Sequence, residues 1–162
     1  IGTALSIRKS LKGRDINGLV EPVSQSALAH GEAYHPTRYL EAINEIHDFG
    51  RQMAGYFDQG PDILLSATLA EPPARIGRFD HSRADYVDFR IGPKGVFAYS
   101  PFCAVFNASG QPAASLPLGW SASGLPIGIH LAAPFGQDET LIALCAELEQ
   151  ASDWTRHRAP VV

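Results

Sequence analysis

The sequence has few cysteines and no long hydrophobic run, and each scarcity excludes a class of protein. Of the 162 residues only Cys103 and Cys145 are cysteine, too few for the disulfide framework of a small secreted domain. No apolar run approaches the roughly 20 residues of a membrane helix, and the basic N-terminal stretch precedes no secretory hydrophobic run. We therefore expect a cytoplasmic chain with free thiols and no contact with a membrane.

The sequence also lacks a net positive charge and the residue spacing of a metal site. The formal net charge is -4, so no basic face is available to follow a phosphate backbone, and we expect no nucleic-acid partner. The six histidines are scattered and match no spacing typical of a zinc site, so we expect neither a metal nor a cofactor. The hydrophobic share of 45% is ample for a globular core. The chain also has no initiator methionine, which favours a start inside a longer protein.

Four stretches have the pattern of helices. One of them, residues 100–110, "SPFCAVFNASG", predicts a short buried helix stopped at Gly110. Residues 21–31, "EPVSQSALAHG", predict a short helix with Gly31 as its C-terminal stop. The next stretch repeats apolar residues every three or four positions, which predicts a long amphipathic helix capped by Thr37 and ended before Gly60. A last helix begins at Asp138, and its predicted apolar stripe consists of Leu141, Ile142, Leu144, Cys145 and Leu148.

Three other stretches have the pattern of strands. Residues 63–65, Ile-Leu-Leu, form a continuous apolar run, which predicts a strand buried on both faces. The runs "ASLPLGW" and "PIGIHLAA" predict a strand pair joined by the turn "SASG", with Pro117 and Pro126 at a bulge or a strand end. The polar residues 74–98 predict a long covering loop with at most one helical turn, around residues 84–89. The element order predicts an α/β fold with a mixed sheet.

Residues 106–120, "FNASGQPAASLPLGW", combine an apolar composition with residues that break helices and strands. Gly110 favours a helix end in the left-handed conformation, and Pro112 prevents the helix from continuing. The small residues 113–115 allow a neighbouring element to approach closely. We therefore interpret this stretch as a packing junction rather than a catalytic loop.

The stretch from residue 106 to residue 150 resembles the C-terminal portion of the amidase signature family. The resemblance consists of an asparagine, Gly-x-Pro-Ala, Ser-x-Pro and Gly-Leu-Pro-x-Gly in this order. In this sequence they are Asn107, Gly110, Pro112, Ala113, Ser115, Pro117, Gly124, Leu125, Pro126 and Gly128. The segment "PDILLSATLAEPP" is similar to another family strand, although Ala67 stands where proline is common. With "EPVSQSALAHG" and "PPARIGRFD", the resemblance is greatest to the branch that includes cyclic-dimer hydrolases of nylon oligomers.

The resemblance implies that residues 1–162 form a single C-terminal segment of an amidase domain, with helices packed on a mixed sheet. Members of the family hydrolyse amides with a serine nucleophile, a second serine and a lysine base, all in the N-terminal half. This chain has no Gly/Ser-rich signature run, and its lysines, Lys9, Lys12 and Lys94, lie in polar stretches. We therefore predict no catalytic residue in this chain and an absent catalytic half.

By the same resemblance, this part of the family fold supplies one wall of the pocket for the acyl group. The predicted substrate-binding residues are Ser100, Phe102 and Cys103 before the asparagine, and Thr68 and Glu71 after the first strand. The expected substrate is a small-molecule amide, with an apolar or aryl acyl group because of the apolar residues around Cys103.

Three functional hypotheses remain open on the sequence alone. The first is an amide hydrolase whose catalytic residues lie on another stretch of chain. The second is a truncated amidase-like module that binds or scaffolds without chemistry. The third is an independent hydrolase that uses Ser121 and His130, suggested by the "GWSASG" run. Half of a shared sheet has an open edge, so the expected partners are the missing N-terminal half or a second copy in a homodimer.

Overall fold

The computed structural model describes residues 1–157. Within them the α-helices are α1 Gly2–Leu11, α2 Pro22–Glu32, α3 Pro36–Asp58, α4 Tyr86–Ile91, α5 Val96–Tyr99, α6 Cys103–Ser109 and α7 Asp138–Ala151. The strands are β1 Leu64–Ala67, β2 Ala113–Trp120 and β3 Pro126–Ala132, and a 3-10 turn follows at Asp153–Arg156. The α/β class predicted from the sequence is confirmed.

The chain divides into two compact units. The first contains Ile1–Glu45 and Ala74–Tyr99, and the second contains Ile46–Pro73 and the described residues from Ser100 onward. The single amidase segment expected from the resemblance stays a prediction.

In the first unit, α1 packs against α2 at a close approach between two small residues. A Cβ built on Gly31 would lie 2.7 Å from the Cβ of Ala4, and both residues are buried. Gly31 was predicted to stop α2, but the helix continues to Glu32 and is capped at Ala33. Gly31 therefore serves helix packing and not helix termination. The helix α1 itself was not predicted from the sequence.

The segment predicted as a long covering loop contains two short helices of the first unit. The carboxylate of Asp85 caps α4 by accepting a hydrogen bond from the backbone N–H of Asp88 at 3.0 Å. α4 corresponds to the helical turn predicted there, whereas α5 was not predicted. The hydroxyl of Tyr99 accepts a bond from the N–H of Ala74 at 2.9 Å, which joins the two ends of the segment. Residues 74–98 are thus not structureless, and their covering role stays a prediction.

The long helix α3 is capped differently from the prediction. It begins at Pro36, so Thr37 lies inside the first turn. Nδ1 of His35 accepts a hydrogen bond from the N–H of Thr37 at 3.3 Å and lies 2.8 Å from its hydroxyl oxygen. The end agrees with the prediction, because the helix stops at Asp58 and the N–H of Gly60 donates to the carbonyl of Phe57.

The second unit contains a three-stranded sheet in the order β1-β3-β2. Both pairings are antiparallel, so the described strands do not form the mixed sheet that was predicted. The predicted β2–β3 hairpin is present, and the N–H of Ser121 donates to the carbonyl of Leu125 across its turn. Pro126 starts β3, and Pro117 lies where the register shifts between Leu116 and Gly119. Both prolines avoid positions that need a donated ladder bond.

One face of this sheet packs against α7. Leu131 and Ala133 form the core there with Leu141 of α7, and Cys145 packs against it. Burial raises the pKa of the Cys145 thiol. Ile142 was predicted to belong to the apolar stripe of α7, but its side chain is 67% exposed and points away from the core.

The strand β1 is an edge strand in the described sheet and is not buried on both faces, as had been predicted. Leu65 is 68% exposed although it pairs with the buried Leu131. Directly paired residues share one face of a sheet, so Leu65 faces the same side as the α7 core. α7 packs closest to β2, at the opposite edge, and leaves Leu65 uncovered.

Candidate functional site

The short helix α6 packs on the other face of the sheet through a ring contact. The buried Phe106 lies edge-on to the buried imidazole of His130, with the ring centroids 5.2 Å apart. Burial lowers the pKa of His130. The helix α6 ends at Gly110, which has a φ of 81° in the left-handed region. The backbone N–H of Gly110 donates to the carbonyl of Phe106. This is the helix end that the sequence predicted, and it turns the chain directly into β2.

Thr68 connects the end of β1 to three neighbouring elements. Its backbone N–H donates to the carbonyl of Gly128 in β3 at 3.0 Å. Its own carbonyl accepts a bond from the Cys103 thiol of α6 at 3.6 Å. Its hydroxyl lies 2.6 Å from the hydroxyl of Ser115 in β2. Two residues predicted to bind substrate, Thr68 and Cys103, are therefore in direct contact.

The contact between Thr68 and Ser115 requires glycine at position 128. Ser115 lies in the outer strand β2, and Thr68 directly follows the other outer strand, β1. Neighbouring strands are about 4.8 Å apart. A Cβ on Gly128 would lie 2.5 Å from Oγ1 of Thr68 and 2.8 Å from Oγ of Ser115. Since the central strand carries no side chain there, the two hydroxyls meet above it. We call this pair the hydroxyl bridge.

A cavity of about 220 Å³ begins directly after Thr68. One wall is formed by residues 69–73, which follow β1, and the other by residues 126–128, which open β3. The walls are mostly apolar side chains, and the predicted site residue Glu71 lies among them. A complete small-molecule pocket usually measures roughly 300–1,000 Å³, so this cavity is smaller than a complete pocket.

The other predicted site residues surround the start of α6. Phe102 is the residue that precedes the first turn, Cys103 opens the helix, and Ser100 comes two residues before Phe102. All three are partly buried. Ser115 and Gly128 were recognised in the sequence only as motif positions. Their contact with Thr68 depends on strand register, which no single motif shows.

The described residues offer no lysine suited to act as a buried base. Lys9 and Lys12 lie on or beside α1, Lys94 lies between α4 and α5, and all three are exposed. A serine hydroxyl needs a positioned base to become a strong nucleophile. Within residues 1–157 no cluster of three metal-ligating side chains is present either.

The hypothesis of an independent hydrolase receives no geometric support. The Ser121 hydroxyl accepts a bond from the N–H of Leu125 and contacts the Ser123 hydroxyl at 2.9 Å, which closes the hairpin turn. The imidazole of His130 lies beside Ser66, whose hydroxyl is 3.4 Å from Nδ1. Ser66 and His130 are paired across the sheet, so this contact follows from strand register. Ser121 is thus a turn residue.

The Amidase family profile matches residues 4–142, and the chain belongs to this family. Over 122 residues the chain is 29% identical to the 6-aminohexanoate-cyclic-dimer hydrolase of Paenarthrobacter ureafaciens. This alignment covers 74% of the chain and 25% of the relative. The solved structure of a 6-aminohexanoate cyclic dimer hydrolase complexed with substrate superposes with a TM-score of 0.82 and 26% identity. That superposition covers 96% of this chain and 33% of the solved one.

A second solved structure supports the fold alone. A bacterial aryl acylamidase of the amidase signature family superposes with a TM-score of 0.68 and 24% identity, over 96% of this chain and 31% of that chain. The chain thus spans about a quarter of the length of the curated relative and about a third of the solved structures. Among residues 1–157, no helix combines the length and the apolar character needed to cross a membrane.

Proposed function

We propose that this chain is the C-terminal part of an amide hydrolase that cleaves the C–N bond of carboxamides. Its serine nucleophile, second serine and lysine base belong to an N-terminal half outside these 162 residues. This chain contributes sheet strands and one wall of the acyl pocket. The observation that carries the proposal is the exposure of all three lysines in a chain that belongs to the amidase family.

The proposed acyl-pocket wall combines the cavity after Thr68 with the start of α6. Thr68 and Glu71 lie on the loop that forms the cavity wall, and Cys103 holds the carbonyl of Thr68. Ser100 and Phe102 lead into the same helix. Because leucine, isoleucine, alanine and proline dominate the cavity, the proposed substrate is a small amide with an uncharged, apolar or aryl acyl group.

A complementation assay tests the proposal. The chain is purified alone and together with the N-terminal part of the Paenarthrobacter relative, and hydrolysis of hexanamide and benzamide is measured by ammonia release. We expect hydrolysis only from the combined chains. Hydrolysis by this chain alone, or no hydrolysis from a complex shown to form, contradicts the proposal. A complex that forms but hydrolyses neither amide would favour a binding or scaffolding module.

The same samples test the proposed partners. The uncovered Leu65 on the edge strand β1 is a surface that favours association with a further strand or helix. We propose that the isolated chain forms a homodimer through this edge and that the N-terminal half displaces the second copy. Light scattering should show a dimer alone and a one-to-one complex after mixing; a monomer in isolation contradicts this part.

We also propose a cytoplasmic location, because Cys103 and Cys145 are both free thiols. Fractionation of cells that express the chain, followed by immunoblotting, tests this; recovery in a secreted fraction contradicts it.

A further inference from the structure

The cavity wall formed by residues 69–73 depends on how its first residue is held. Pro72 and Pro73 restrict the far end of this wall, since the proline ring fixes φ. At the near end, Thr68 is held by its backbone bond to Gly128, by the Cys103 thiol and by the Ser115 hydroxyl. Residues 69–71 connect these two ends and line the cavity.

From this arrangement we infer that Ser115 and Gly128 are positioning residues for the acyl-pocket wall. The hydroxyl bridge over Gly128 sets the direction in which the chain leaves β1, and this direction places the next residue, Leu69, at the cavity. Neither Ser115 nor Gly128 needs to touch the substrate for this role. The part of the inference that concerns substrate rests on the proposed function.

The hydroxyl bridge is specific to this point of the sheet. Residues on two outer strands normally have the side chain of the central strand between them. Here the central residue is glycine, and a Cβ would lie 2.5 Å from one hydroxyl oxygen and 2.8 Å from the other, shorter than a Cβ contact allows. Any larger residue at 128 must therefore separate the two hydroxyls, whereas removing one hydroxyl leaves the backbone intact.

Four variants separate this role from a general effect on stability. Ser115→Ala removes one partner, and Thr68→Val removes the other while it keeps the branched shape. Thr68→Ser keeps the hydroxyl and serves as the conservative variant. Ser123→Ala removes a hydroxyl from the turn of the same hairpin and serves as the control.

The first measurement is amide hydrogen exchange of the isolated chain at residue 68, compared with the amides of β3. A hydrogen bond between two hydroxyls contributes modestly to local stability. We therefore expect the rate of amide exchange at residue 68 to rise about two- to tenfold in Ser115→Ala and Thr68→Val. The β3 amides should not change, and Thr68→Ser and Ser123→Ala should match the parent chain. Unchanged exchange in Ser115→Ala, or an equal rise throughout the sheet, overturns the inference.

The second measurement uses the complemented enzyme with hexanamide as the probe. We expect Ser115→Ala and Thr68→Val to raise KM about two- to tenfold with kcat unchanged, because the wall binds the acyl group without entering the chemistry. A fall in kcat at constant KM overturns the inference. If no complemented enzyme hydrolyses amides, the proposed function fails, while the exchange experiment still decides whether the hydroxyl bridge positions the wall.

Discussion

The ring of Phe106 lies edge-on to the imidazole of His130, and this contact joins α6 to the central strand of the sheet. Phe106 is 6% exposed and His130 is 5% exposed. The helix that carries Cys103 therefore takes its position from a residue one turn away, on the sheet face that also carries Thr68. The proposed pocket wall depends on this packing.

Replacing Phe106 with alanine should strongly destabilise the second unit. A buried phenylalanine reduced to alanine loses its apolar burial and leaves a cavity, which costs about 3–5 kcal/mol. The free energy of unfolding in urea measures the effect. Phe135→Ala is the matched control, because Phe135 is 73% exposed and its loss should change stability by less than about 0.5 kcal/mol. Equal effects of the two variants would show that α6 does not pack on the sheet as described.

The stability of the chain should fall as the pH drops because of His130. Burial lowers its pKa in the folded state below the ordinary value of about 6.5. Below pH about 6.5 the unfolded chain binds a proton at this residue and the folded chain does not, so unfolding becomes easier. The contribution of the neutral His130 side chain to the free energy of unfolding is therefore complete above pH about 6.5. It is lost as the pH falls through the pKa that His130 has in the folded chain.

Urea unfolding of the parent chain and of His130→Gln between pH 5 and 7.5 checks this prediction, over a range about the ordinary histidine pKa. The variant should show a flatter dependence on pH, whereas His47→Gln, a change at an exposed residue of α3, should keep the dependence of the parent. Identical pH profiles for all three chains would refute a buried neutral imidazole at position 130.

Two glycine substitutions should change stability in opposite directions. Gly110 has a φ of 81°, and a Cβ there would meet only ordinary contacts, so Gly110→Ala should cost about 1–2 kcal/mol from backbone strain alone. Gly55 lies inside α3 with open space around it, so Gly55→Ala should stabilise by about 0.5–1 kcal/mol. Thermal unfolding of both variants measures the difference. Stabilisation by Gly110→Ala would contradict the left-handed helix end.

Gly31→Ala should loosen the packing of α1 on α2 in the first unit. The added methyl would lie 2.7 Å from the Cβ of Ala4 and 3.2 Å from the backbone nitrogen of Ile1, so α1 must shift. Limited proteolysis should then release residues of α1 faster than in the parent chain. Gly2→Ala adds the same methyl in open space and serves as the control. If proteolysis released α1 at the same rate from Gly31→Ala and Gly2→Ala, the close contact between α1 and α2 would be contradicted.

The sequence predicted best those elements whose pattern is local. The hairpin, the end of α6 at Gly110 and the last helix follow from turn residues, a helix-breaking proline and apolar spacing, and all three are present. The helix α1 was missed because basic residues obscured its apolar spacing, although Ala4 and Leu11 are buried. The spacing of Ala4 and Leu11, two turns apart, was the signal in the sequence that could have predicted this helix.

Features that depend on neighbouring elements were predicted poorly. The apolar run of β1 indicates burial but not whether another strand or helix covers each face, and Leu65 proved to be exposed. Gly31 has the signature of a helix stop, and only the position of α1 shows that it serves packing instead. The hydroxyl bridge of Thr68 and Ser115 joins residues 47 positions apart, which sequence spacing alone does not bring together.

Covalent labelling by a fluorophosphonate, read by intact mass, tests most directly where the nucleophile lies. The reagent forms a stable adduct with an activated serine, and the mass of each chain shows which one carries it. We expect no adduct on this chain alone, and an adduct only on the N-terminal part after complementation. An adduct on any serine of residues 1–162 would place the nucleophile on this chain and contradict the account.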